Sequence, residues 1–436
     1  MKNSSSVISD LKFRVSYGEA GNNRIGDFLY LTQFVTNSQY WLNDQLNTAY
    51  IPDALANQNI VWEKTKSRNI GLDISFLKNR IQLTTDIYKN TTENLLINVP
   101  VPTSSGYTTQ IQNVGSTENR GIEIQINATP IAKKDFTWTA NFNISFNKNE
   151  VTALSTYQNS YLQASGWGIA STAADFIVKV GEPVGSIRGF TTDGYYEIED
   201  FDYNSSTGTY TLKAGQPSNL SVTSLAPYPG RLKFKDMDGN GTIDDADRTI
   251  IGVAQPDFFG GVNQQFTYKN FDLSIFVNFQ GGNKVINANR LEFTNAYTPN
   301  SNMLTVMNDR WRNVNDQGQV VTDPTELAKI NANAKIWSPS TAANSFMLHS
   351  WAVEDGSFIR INNVSLGYNF PKSMLEKIKI QKLRLYVTGN NLAVFTNYSG
   401  YDPEVSTRRS NPVTPGVDYS AYPRSTTYIA GVNVTF

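Results

Sequence analysis

The chain has 436 residues, with 37 Lys+Arg against 38 Asp+Glu and a single His. It is long enough for about two to three ordinary domains or one large β structure, and it lacks the basic surface that nucleic acid requires. No Cys is present, which excludes disulfides, thiolate metal sites and a Cys nucleophile, and the lone His349 excludes a His-cluster metal site.

Apolar and polar residues alternate at every second position through much of the chain. A first strand is expected over 11–17 and a second over 62–76, where Ile70, Leu72, Ile74 and Phe76 alternate with Asn69, Gly71, Asp73 and Ser75. The next runs are 80–90 (Ile81, Leu83, Ile87), 113–128 (Ile122, Ile124, Ile126, Ala128) and 136–147 (Phe136, Trp138, Ala140, Phe142, Ile144, Phe146). They are followed by 257–268, by 271–280 (Phe271, Leu273, Ile275, Val277, Phe279), by 358–370 (Val364, Leu366, Tyr368, Phe370) and by 382–390. The last, 428–436, places Tyr428, Ala430, Val432, Val434 and Phe436 on one face and ends on the aromatic residue. That makes about ten strands, several longer than the common soluble strand of about five or six residues. No stretch approaches the ~18–20 consecutive apolar residues of a membrane helix. The first residues lack the apolar core of a signal peptide. A β-barrel, however, crosses a bilayer with alternating strands.

Short and long connections alternate. The short ones are 77–80, 129–135, 269–270 and 371–381, the last with a helical turn over Ser373–Ile378. The long polar ones are 18–61, 91–112, 148–256, 281–357 and 391–427. Strand-like stretches at Ser186–Thr191 and Arg231–Lys235 fall inside the long ones. This is the pattern of an outer-membrane barrel, with tight periplasmic turns and long extracellular loops. An even strand number returns the chain to the side where it began. A soluble sandwich has no reason to gather all its long loops at one end.

Residues 236–247 fit the twelve-position calcium loop. Oxygen donors fall at Asp236, Asp238, Asn240, the Thr242 carbonyl, Asp244 and Asp247, with Gly241 at the sharp turn and Ile243 at the apolar eighth position. Asp247 stands where many such loops carry Glu, and its shorter side chain weakens bidentate ligation. Such a Ca²⁺ would be structural, because an all-protein oxygen cage leaves no position for a substrate. A solvated Asp/Gly turn is the alternative. No dinucleotide fingerprint, P-loop or nucleophile elbow occurs. The acidic pairs Glu199–Asp200 and Glu354–Asp355 read as solvated loop charges, and His349 as an ordinary loop residue, so the chain is not expected to be an enzyme. The loop aromatics Trp41, Tyr157, Tyr161, Trp167, Tyr195, Tyr196, Trp337 and Trp351 suit sugar stacking, partner contact or packing of loops on each other.

Several segments together resemble the SusC/RagA family of TonB-dependent transporters. They are Leu11–Gly18 with Gly21 and Asn22, Asn113–Ile124, the calcium-type loop with Asp247–Gly252, Phe259–Gly261 before Tyr268–Leu273, Ser357–Tyr368, Leu383–Leu392 and Tyr401–Glu404. The resemblance implies an all-β chain that forms the C-terminal portion of a transmembrane barrel of roughly 22 strands. The N-terminal plug, signal peptide and TonB box of the family are expected to lie outside 1–436. It further implies a place in the outer membrane, bathed in lipid, and a role in importing glycans or peptides. The implied partners are a SusD-like surface lipoprotein, acting as a lid, and TonB, acting through the plug. The alternative is a calcium-stabilised extracellular β protein that binds carbohydrate or adheres to a surface.

Overall fold

A computed structural model describes residues 7–23, 26–32, 34–52, 55–107, 109–155, 158–167, 174–295, 300–340, 347–407 and 411–436. Its centre is a ten-stranded sheet in which every strand pairs antiparallel with its neighbours in chain order. The strands are β1 (Ile8–Asn22), β2 (Glu63–Phe76), β3 (Ile81–Pro100), β4 (Thr109–Ala132) and β5 (Phe136–Ala153), then β6 (Phe258–Tyr268), β7 (Phe271–Gly281), β8 (Phe358–Asn369), β9 (Lys382–Thr396) and β10 (Thr427–Thr435). All ten expected strands are present. β1 and β10 form the two edges.

The register collects the apolar residues on one face. Val15 lies opposite Ile70, Ile70 opposite Ile87 and Ile87 opposite Ile122; further along, Phe142 faces Val262, Val262 faces Val277, and Val277 faces Ile361. Because directly opposed residues share a face, these rows make a continuous apolar surface. That surface is open rather than packed: Phe13 and Val15 are 67% and 68% exposed. Aromatic residues border it at both ends. Phe136, Tyr268, Phe271 and Tyr368 lie at the short-turn end, where they pair as Phe136–Tyr268 and Phe271–Tyr368. At the opposite end lie Phe146, Phe258, Phe279 and Phe395. Phe136 to Phe146 is ~33 Å of rise along a strand, and a tilt of about 40° shortens this to roughly 25 Å, the height of the apolar band of a membrane barrel.

Several strands continue past their expected ends on the long-connection side. The 91–112 excursion is largely β3 and β4 continuing to Pro100 and from Thr109, with bulges at Thr92/Leu95 and Leu95/Leu96 and Asn94 at φ 61°. Above the bilayer no lipid demands an apolar face, so pairing persists where the alternation lapses. Residues 18–61 contain a hairpin, Phe34–Leu42 with Gln45–Pro52. The turn at 371–381 is helical over Lys372–Leu375 and Glu376–Ile378, as expected.

The excursions 148–256, 281–357 and 391–427 fold together into a cap. Strands Ser160–Gln163, Phe176–Lys179, Ser186–Gly189 and Thr249–Val253 form one small sheet. A second sheet draws Lys284–Asn287 and Val353–Asp355 from 281–357 and pairs Lys284–Asn287 in parallel with Val417–Asp418 from 391–427. Their shared core holds Trp167, Phe176, Ile187, Ile286, Leu291, Ala352 and Val417. Trp167 packs on Tyr419 at 5.7 Å between ring centroids. Among the described residues, no helix is long and apolar enough to cross a membrane.

Candidate functional site

The face of the wall opposite the apolar one is polar, and two arginines organise it. Arg14 on β1 reaches across β2 to Asp86 on β3 at 2.9 Å and also binds Asp73 at 2.9 and 3.0 Å. It can cross because the residue beneath it is Gly71, where a Cβ would sit 2.5 Å from the guanidinium carbon. The other end of the sheet repeats the device: Arg384 on β9 crosses Gly367 on β8 to Asp272 on β7 at 2.5 and 3.1 Å. Between them run side-chain amide contacts such as Asn141 to Asn127 at 2.6 Å and Asn149 to Asn119 at 3.0 Å. Charge on this face is paired across three strands, as an aqueous lumen permits and lipid does not.

The cap is fastened to the wall by a buried ion network. Arg360, at the outer end of β8, is 1% exposed. Its guanidinium meets Asp402 at 2.6 Å and Glu404 at 2.9 Å, and Arg424 closes the group on Asp402 at 3.3 Å and Glu404 at 3.0 Å. Two of the family-like segments, Ser357–Tyr368 and Tyr401–Glu404, therefore meet in space. A second network holds Glu354 against Arg290 at 3.3 Å, Asn287 at 2.8 Å and the Ser399 backbone at 3.0 Å, while the Arg290 guanidinium lies 3.6 Å above the Trp351 ring. Tyr398 donates to Asp418 at 2.7 Å, and burial followed by that carboxylate raises its pKa above the ordinary tyrosine value.

These contacts correct the reading of the acidic pairs as solvated for Asp200 and Glu354, while Glu199 is exposed as expected. Glu354 is embedded, and Asp200 is buried, bonded to Lys233 at 3.1 Å and to the Glu197 backbone N–H at 3.0 Å. Both are structural, because each has a cation or backbone donor supplied by a distant segment. His349 lies in a loop as expected, yet it is fully buried, 2.7 Å from the Thr192 hydroxyl and packed on Phe234 and Trp337. Burial lowers its pKa to about 3, so it stays neutral at any ordinary pH. Most of the described loop aromatics pack inside the cap. Trp167 and Tyr196 are buried, Tyr195 sits 5.1 Å from Trp311, and Trp337 meets Trp351 edge-on at 5.3 Å. Trp41 is 72% exposed, and Tyr157 lies outside the described residues.

Of the calcium-type residues, Asp236, Asp238 and Asp247 bring carboxylate oxygens within 4.8 Å of one another. Asp247 is fully buried and accepts from the backbone N–H of Met237 at 2.6 Å and of Asp244 at 2.8 Å. Asp236 accepts from Gly241 at 2.8 Å and Gly239 at 2.7 Å, and these amides hold its carboxyl below the usual range. Asp244 stands outside the trio, its oxygen capping Ala246 N–H at 2.7 Å; Asn240 accepts from Thr242 N–H at 2.7 Å. Gly241 adopts φ 82°, a conformation that an L side chain resists. Ile243 anchors the loop in a small core with Phe190 and Phe234. The donor set is all oxygen, as a hard cation requires.

A sheet that is apolar on one side, charge-paired on the other, banded with aromatics and capped at one end defines the wall of a transmembrane β-barrel. The family profile "TonB dependent receptor-like, beta-barrel" matches residues 6–392. The chain belongs to this family of outer-membrane proteins, and its relatives and fold are of the SusC/RagA type. TonB-dependent receptor P3 of Formosa agariphila is 35% identical over 99% of the chain, and TonB-dependent receptor SusC of Bacteroides thetaiotaomicron is 30% identical over 99%. The chain spans 40% and 38% of those two relatives. Among solved structures, the RagAB peptide importer in its closed-closed state covers the whole chain with a TM-score of 0.74 at 24% identity, the chain covering 42% of it. That likeness is one of fold.

Sequence reasoning missed Arg14, Arg384 and Arg360 as organisers. The available signal was an arginine or aspartate at the polar parity of a strand that otherwise carries neutral side chains.

Proposed function

We propose that this chain forms the wall and extracellular cap of a TonB-dependent importer of glycans or peptides. A SusD-like surface lipoprotein docks on the cap, and TonB acts from the periplasm through a plug. The observation that carries this reading is the fusion of three excursions into one cored cap, pinned through Arg360 to a wall strand. Such a cap offers a docking surface of fixed shape, which separate flexible loops would not. The test is purification of the intact parent protein in mild detergent. The expected result is one co-purifying surface lipoprotein, lost when 300–340 is replaced by a short linker while the barrel still resists unboiled SDS. A parent that purifies alone and supports uptake alone would overturn the lid.

We further propose that Ca²⁺ binds at 236–247. Asp236, Asp238 and Asp247 supply the converging carboxylates, and Asn240, the Thr242 carbonyl and Asp244 are the other donors of the spacing. Three carboxylates so close repel one another without a cation, and their convergence on an ion orders a loop that Ile243 ties to the cap. Calcium should therefore slow proteolysis within 148–256, and Asp236→Ala with Asp238→Ala should abolish that protection without affecting barrel assembly. Magnesium should substitute poorly, since it demands a tighter octahedron and releases water reluctantly. Proteolysis unchanged by chelator, with no calorimetric Ca²⁺ binding at millimolar concentration, would leave only the solvated turn.

A further inference from the structure

The chain is nearly neutral as a whole, yet its charge is unevenly spread. The four short connections, 77–80, 129–135, 269–270 and 371–381, hold eight basic residues against two acids, Asp135 and Glu376. From totals of 37 and 38, that leaves 29 basic against 36 acidic residues elsewhere. Backbone hydrogen bonds join these turns into one rim. Thr129 N–H donates to the Arg80 carbonyl at 2.7 Å, Lys269 N–H to Asp135 at 2.8 Å and Asn369 N–H to Asn270 at 2.8 Å. Lys133, Lys134, Lys269, Lys372 and Lys379 are exposed on this rim, and none is ion-paired to a described carboxylate.

One of these cations is placed on the lipid side of the wall. The Lys269 ammonium lies 5.5 Å from the centre of the Tyr268 ring. Tyr268 belongs to the apolar face, opposite Phe136 and Phe271. Beside it that face is hollowed. Phe271, Tyr368, Leu385, Val387 and Val432 surround the small Ala430, leaving an open hollow of about 440 Å³ with no charged residue in its lining. Tyr368 lies opposite both Phe271 and Leu385, and Ala430 opposite Val387, so the hollow spans β7 to β10. Its rim-side edge is Phe271 and Tyr368. Lys269 precedes Phe271 by two residues. Lys372 follows Phe370, whose ring meets Tyr368 edge-on at 5.1 Å.

The hollow is continuous with the surface that faces hydrocarbon, so its occupant comes from the bilayer. An apolar chain fits the hollow, and only a phosphate that brings no cation of its own leaves the ammoniums fully matched. A zwitterionic head carries its own ammonium, which competes with Lys269 and Lys372. Basic groups beside apolar membrane surface are the usual receivers of anionic lipid heads. The plug of the family lies in the lumen, behind the opposite face, and does not reach this one. We propose that Lys269, Lys372 and the Ala430 hollow form a site for one anionic phospholipid of the periplasmic leaflet. One acyl chain lies against Ala430 and Val432, and the phosphate sits at the two ammoniums.

The test is native mass spectrometry of the intact parent protein in detergent, equilibrated with phosphatidylglycerol, with phosphatidylcholine of the same chains, or with glycerol 3-phosphate. Phosphatidylglycerol should be retained about tenfold more tightly than phosphatidylcholine, and glycerol 3-phosphate should not be retained. Lys269→Gln should cut that preference about fivefold, the worth of one ammonium near a membrane surface. Lys269→Gln with Lys372→Gln should erase it. Ala430→Trp fills the hollow with a side chain at home in the interface, and should release the bound lipid. Unchanged SDS resistance shows that each variant still forms the barrel. Equal retention of the two lipids overturns the site, as does a preference that the double variant keeps. Retention of glycerol 3-phosphate would show a bare phosphate site and overturn the lipid. Retention of phosphatidylglycerol unaltered by Ala430→Trp would take the chain out of the hollow and overturn it as well.

Discussion

Arg360→Met should release the last excursion of the cap from the wall. Arg360 is 1% exposed and faces two carboxylates, Asp402 at 2.6 Å and Glu404 at 2.9 Å. Methionine keeps much of the volume but leaves those acids without their buried cation. Arg424, nearly half exposed, still touches both acids, from the solvent side. Breaking a buried ion pair by removing one partner typically costs about 3–5 kcal/mol, against a cap segment that contributes mainly the two residues Val417 and Asp418 to a sheet. The expected reading is rapid protease cleavage within 397–427, with barrel resistance to SDS retained. The triple variant Arg360→Met, Asp402→Asn, Glu404→Gln should recover most of the protection, because removing a whole buried charge group is often nearly neutral. Unchanged cleavage in Arg360→Met would show that Val417, Asp418 and Tyr398 hold the segment without the ion network.

The same residues show what a sequence discloses and what it withholds. The wall is legible because lipid imposes a rule on every second residue of each strand, so Ile70, Leu72 and Ile74 declare their face without knowledge of their neighbours. The rule lapses where strands rise above the bilayer, and there Thr91–Pro100 read as loop although the pairing continues. The calcium-type loop is legible because its donors lie within twelve consecutive positions. The cap is not: Ile187, Ile286 and Val417 share one core yet come from three excursions, each with strands too short to show a period. Glu354 reads as solvated because nothing near it in sequence announces Arg290 or Ser399. Arg14 looks like one more charge on a polar face until the register sets Gly71 beneath it and Asp86 beyond.

Val277→Arg should cost the barrel about 2–4 kcal/mol in a bilayer, while Ser274→Lys on the same strand should cost almost nothing. Val277 lies in the middle of β7, with Val262 and Ile361 opposite it and Phe142 one strand further on, all on the apolar face. An arginine there must carry its charge into hydrocarbon between the two aromatic rows, six residues from Phe271 and two from Phe279 along the strand, so that only the outer interface is within reach of snorkelling. Ser274 has the opposite parity. Its hydroxyl contacts Asn263, and a lysine in its place would extend into the space that Arg14 and Arg384 already share with paired carboxylates. The comparison holds strand, charge and approximate depth constant and changes only the face. The measurement is the urea midpoint of the parent protein refolded into phospholipid vesicles, read by the boiled-to-unboiled shift on SDS gels. A large loss for Ser274→Lys with none for Val277→Arg would reverse the two faces, which would put the exposed Phe13 and Val15 in water and the Arg14–Asp73–Asp86 and Arg384–Asp272 bridges in lipid. Equal losses would mean that neither face is wet, and a transport path along this wall would then be untenable.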